Sequence, residues 1–146
     1  MKMATRLVLA AAFVAAVGAV TANAQVTDRI TFKTNFPFVA GNTTLPAGNY
    51  TVTPLDDDPS VLELSNGKVS VLLDTEADRP SRMPSKTEVT FNKYGNTYVL
   101  HEIVDPEAQG GAIVVPARAE KRHQKAHGTP TAQAVPASKT SKTASR

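Results

Sequence analysis

The chain has 146 residues and neither cysteine nor tryptophan, which excludes disulfides, thiolate metal sites, thiol catalysis, redox exchange and a lipid-anchored lipoprotein. Its pI near 9.3 averages over regions of opposite sign. Residues 25–117 carry seven bases against twelve acids, a net of −5, whereas residues 118–146 carry seven bases against one acid, a net of +6.

Lys2 and Arg6 precede an apolar run from Leu7 to Val20, and Ala22-Asn23-Ala24 forms a small-residue cleavage site. This is the pattern of a secretory signal peptide over residues 1–24, and the run is short for a membrane span. The expected location is therefore exported, in the periplasm or outside the cell, with no transmembrane span after cleavage. The remainder is long enough for one domain.

From residue 25 the chain reads as an all-β domain, a small antiparallel β-sandwich or barrel over residues 25–117. Ile30, Phe32, Phe36, Phe38 and Val39 alternate with polar residues, and Pro37 belongs at an edge, a bulge or the start of a new strand. Gly41-Asn42 marks a turn, and Pro46 to Gly48 a second turn feeding a strand with Tyr50 and Val52 on one face. Asn66-Gly67 suits a type I′ hairpin with Leu64 opposite Val69 and Leu62 opposite Val71. Gly95-Asn96 sets Phe91 opposite Leu100 but Val89 against Glu102, a mismatch that a bulge would correct. Between the hairpins, Asp78 to Lys86 reads as a loop, and Ala112 to Val115 as the last strand.

Residues 118–128 contain good helix formers for a short helix that is marginal without packing. Residues 129–146 are nearly all Ala, Ser, Thr, Pro, Lys, Gln and Val, with no aromatic residue, and read as a disordered basic tail.

No nucleophile elbow, phosphate loop or dinucleotide fingerprint occurs. His101-Glu102 departs from a zinc-protease pattern, because Asp105 stands where the second histidine belongs and the segment reads as a strand. His123 and His127 share a helical face with Glu120, but beside a basic tail the segment reads as solvated rather than metal-binding. Asp56-Asp57-Asp58 reads as an acidic turn. No catalytic, cofactor-binding or metal residues are assigned, and no cofactor is expected.

Two non-catalytic readings remain. In the first, the protein is a structural or interaction module of the cell envelope, and Arg118, Lys121, Arg122, Lys125, Lys139, Lys142 and Arg146 contact an anionic envelope component. Nucleic acid is not an expected partner, since the basic segment has no aromatic residue for base stacking. In the second, the barrel binds a small apolar or carbohydrate ligand, with Phe36, Phe38, Tyr50, Tyr94 and Tyr98 as wall residues, although such rings also serve as core.

Phe38-Val39-Ala40-Gly41, Leu45-Pro46-Ala47-Gly48-Asn49-Tyr50-Thr51-Val52 and Phe91 to Leu100 together carry a resemblance. Over about residues 30 to 120 the chain resembles a family of small, uncharacterised exported bacterial β-domain proteins sharing F-x-V-G, L-P-A-G-x-Y-x-V and F-x-x-Y-G-x-x-Y-x-L motifs. The resemblance implies an exported all-β domain and supplies no catalytic residues.

Overall fold

A computed structural model describes residues 28–140. The expected signal peptide and residues 141–146 lie outside the described residues. The elements in chain order are β1 (Arg29–Thr34), β2 (Phe38–Ala40), β3 (Thr43–Leu45), β4 (Gly48–Pro54), β5 (Val61–Ser65), β6 (Ser70–Asp78), β7 (Glu88–Tyr94), β8 (Thr97–Asp105), β9 (Gly110–Val114), α1 (Arg118–His127) and β10 (Thr131–Thr140).

Eight strands close into an antiparallel barrel in the order β8-β7-β10-β1-β4-β5-β6-β9, the last pairing back to β8. The short hairpin β2-β3 sits outside that ring, with β2 parallel to the start of β8. Period-two alternation aims one residue in two at the interior, as a small barrel requires. Ile30, Phe32, Tyr50, Val52, Leu62, Leu64, Leu73, Val89, Phe91, Leu100 and Ile103 fill it. No helix among the described residues is long and apolar enough to cross a membrane.

The first hairpin folds with a different turn from the one expected. Leu64 pairs with Val71 and Leu62 with Leu73, two residues beyond the predicted partners. Asn66 N–H donates to the Val69 carbonyl, leaving Gly67 and Lys68 as the central pair. Gly67 has φ +85° while Asn66 is not in the positive-φ region, so glycine takes the first central position, as in a type II′ turn. The cause is the Asn66 side chain, whose Oδ1 accepts from Lys68 N–H at 2.9 Å and Val69 N–H at 2.8 Å. A shift of two conserves side-chain parity, so the apolar face survives. Val69 moves to the turn and is exposed.

In the second hairpin Phe91 does pair with Leu100, and the register shifts between Thr90 and Phe91. His101 is the extra residue of the bulge. The shift pairs Val89 with Ile103 instead of Glu102, which keeps both in the interior.

The largest departure from expectation is at the C-terminal side. Thr131–Thr140 is not disordered but forms β10, the stave between β7 and β1. β9 is therefore not the last strand. Residues 131–136 pair with β7 and residues 137–140 with β1. Pro136 lacks an N–H and sits where the β1 ladder stops, which is how a barrel strand tolerates it. Inward-facing Val135 and Ala137 add little apolar area, and the backbone bonds to two neighbours supply the rest.

Lys139, the next inward position of β10, closes one end of the barrel. Its Nζ lies 2.9 Å from Asp105, 3.0 Å from Asp28 and 3.0 Å from Glu107. The Asp105 side chain is fully buried, and its other oxygen accepts the Glu107 N–H. The carboxylates of Asp105 and Asp28 hold the Lys139 ammonium well above its ordinary pKa.

Candidate functional site

The five aromatic residues expected as ligand walls divide into two groups. Phe38 and Tyr50 are buried in the barrel with ring centroids 5.0 Å apart, and Phe38 lies 5.1 Å from Phe91. Phe36 stacks on Tyr98 at 3.9 Å and meets Phe91 edge-on at 5.3 Å. These four rings spend their faces on one another and on Phe91 as core. Tyr94 is apart from them, on the outside of the sheet beneath α1 with Val39, Val99 and Ala119.

That small outer cluster fixes α1 to the barrel. Ala117 caps the helix without a side-chain hydrogen bond, and Asn42 of the β2-β3 turn supplies the missing acceptor to Ala119 N–H at 3.2 Å. Gly128, at φ +74°, ends the helix and returns its N–H to the Gln124 carbonyl. Glu120 is buried, accepting from Tyr94 Oη at 3.0 Å and from Asn92 Nδ2 at 3.1 Å. Burial and the adjacent Glu120 carboxylate raise the Tyr94 pKa to about 12. His123 stacks on Tyr94, and His127 lies against Gly95.

With the inner face so occupied, Arg118, Lys121, Arg122 and Lys125 are exposed. Their spacing of three, four and seven residues puts them on one helical face, opposite Glu120 and His127. None of the four is ion-paired among the described residues. The structure thus gathers four of the seven expected cationic contacts. It diverts Lys139 into the barrel end, while Lys142 and Arg146 lie outside the described residues.

A second surface was not anticipated from the sequence. The outer faces of β10, β1, β4 and β5 form a groove of about 890 Å³. Ser138, Thr31, Thr51 and Ser65 are consecutive cross-strand partners along its floor. Arg29 and Lys33 flank Thr31 on the same face of β1, and Asn49, Thr53, Glu63 and Asn66 add to the polar lining. Each residue is merely an outward position of its own strand, so only pairing across four strands reveals the row.

Among the remaining titratable groups, Glu102 is held above the ordinary carboxylate range by burial and then by neighbouring Asp78. His101 Nδ1 is buried without a hydrogen-bond partner among the described residues. Asp58 accepts from the backbone and hydroxyl of Ser60, as an acidic turn does, and the hydroxyl contact lowers its pKa. Among the described residues no group of three or more His, Asp or Glu side chains is arranged to hold a metal ion. Comparison with family models, curated proteins and solved structures gave no match.

Proposed function

We propose that this protein is a non-enzymatic, exported interaction module of the cell envelope, and that it contacts an anionic envelope polymer through the outer face of α1. The observation carrying this reading is the convergence of Arg118, Lys121, Arg122 and Lys125 on one exposed face of a helix whose opposite face is clamped to the barrel. Fixing four cations on a packed helix lowers the ordering cost of a multivalent electrostatic contact compared with a flexible tail. The acidic body then favours contact through this face rather than through the whole surface. The signal-peptide pattern of residues 1–24 is what places the module outside the cytoplasm in this reading.

Removing the C-terminal segment would also remove a barrel stave, so charge neutralisation is the appropriate test. Co-sedimentation with purified envelope fragments compares the native protein with the Arg118→Gln/Lys121→Gln/Arg122→Gln/Lys125→Gln variant at low and high salt. Binding that salt weakens and the variant loses by about tenfold or more is expected from screened surface charges. Equal binding of both proteins would sink the proposal.

A further inference from the structure

The groove on the opposite set of staves has a chemistry distinct from that of α1. Its floor is a line of hydroxyls, Ser138-Thr31-Thr51-Ser65, delivered by four adjacent strands in exact cross-strand register. Three inter-strand spacings of ~4.8 Å make that line roughly 14 Å long. The hydroxyls of Thr51 and Ser138 have no side-chain hydrogen-bond partner among the described residues. Thr31 Oγ1 reaches the Ser138 carbonyl only at 3.4 Å, and Ser65 Oγ accepts the Gly67 N–H at 3.2 Å. Arg29 and Lys33 stand on either side of the row, neither ion-paired among the described residues.

We infer that this groove binds an extended acidic oligosaccharide, one bearing uronate-type carboxylates. Sugar hydroxyls both donate and accept, and a row of serine and threonine hydroxyls answers both functions where lysine only donates. The two cations match carboxylates along the same chain, and Arg29 offers them a planar two-point contact. The single carboxylate of the lining, Glu63, already accepts the Ser70 hydroxyl and is directed along β5 towards β6. A polyphosphate would satisfy the cations and accept from the hydroxyl row, but it has no donors to return to the hydroxyl oxygens. The groove therefore favours a glycan. This inference concerns different staves from α1 and stands independently of the reading given to that helix.

The test is backbone amide NMR of residues 25–146 titrated with an oligouronate hexasaccharide, with polyphosphate and with a neutral hexasaccharide of glucose. Two variants accompany it, Arg29→Gln/Lys33→Gln and Thr31→Val/Thr51→Val; all four positions face outward and valine keeps the β-branch, so folding is retained. Oligouronate shifts centred on Thr31, Thr51, Ser65 and Ser138 are expected. The cation variant should weaken binding about tenfold, in line with lost charge-assisted hydrogen bonds. The hydroxyl variant should weaken it about threefold to tenfold through unmade hydrogen bonds. Oligouronate shifts confined to α1 would overturn the inference. So would polyphosphate binding as tightly as oligouronate, or a hydroxyl variant that binds undiminished.

Discussion

The β5-β6 hairpin and the β10 strand are staves of one barrel, yet they are held by opposite kinds of information. The hairpin is local: Leu62, Leu64, Val71 and Leu73 share a face, and Gly67 with the Asn66 side chain turns the chain between them. β10 is non-local: it has little apolar area, contains Pro136, and takes its conformation from β7 and β1 at the other end of the chain. A segment can thus be a structural strand with almost no strand signal of its own, provided that its neighbours supply the ladder and a specific ion pair supplies the lock. The polar composition of β10 then has a structural meaning, because its Lys139 is the counter-charge to a buried carboxylate.

The sharpest way to break this contrast is to remove that counter-charge. Lys139→Met leaves Asp105 buried without its cation, and a loss of about 3 kcal/mol is expected because an unpaired buried charge is left behind. Urea unfolding measures it, and the Lys139→Met/Asp105→Asn double variant should recover part of the loss. An unchanged midpoint for the single variant would mean that β10 is held by its ladder alone.

On the local side, Gly67→Ala forces a Cβ into φ +85° with open space around it. Its expected cost is therefore backbone strain alone, about 1 kcal/mol in the same unfolding experiment. A cost rivalling that of Lys139→Met would contradict the view that the hairpin keeps its register through the apolar face.

An effect confined to alkaline pH comes from the attachment of α1, the element that leads into β10. Tyr94 titrates near 10 when unfolded and at about 12 in the fold. Between those values the folded state holds the phenolic proton that the unfolded state has released. Stability should therefore fall as pH rises from about 10 towards 12, and be unaffected by this group below that window. The Lys139 ammonium declines in the same direction, so the informative measurement is the difference between the native protein and Tyr94→Phe across thermal unfolding at several alkaline pH values. A native profile that matches the variant throughout would show that the Tyr94–Glu120 contact does not form in solution.

Much of the fold was legible because it rests on near-neighbour chemistry. Alternation disclosed the β architecture, Pro37 and Gly48 the breaks, and the mismatch of Val89 with Glu102 the bulge that His101 fills. The α1 segment was also visible, since helix formers run from Arg118 to His127. Its orientation was not: Tyr94, Asn92 and Asn42 come from distant positions and decide which face is buried. The expected wall aromatics were identified as large apolar groups, but whether rings enclose a void or fill one depends on their mutual distances in space.

The sequence by itself determined an all-β body with a hairpin at Gly95-Asn96 and the shared apolar face, though not the turn, of the hairpin that contains Asn66 and Gly67, a helix-forming segment at 118–127, and a charge reversal beyond residue 117. Only the tertiary structure decided that β10 closes the barrel, that Lys139 serves Asp105 while four other cations face outward, and that Ser138, Thr31, Thr51 and Ser65 form one row. The physical reason is the same in each case. Periodicity and turn chemistry act between residues a few positions apart, whereas barrel closure, counter-charge and cross-strand rows join residues that meet only when the ring is complete.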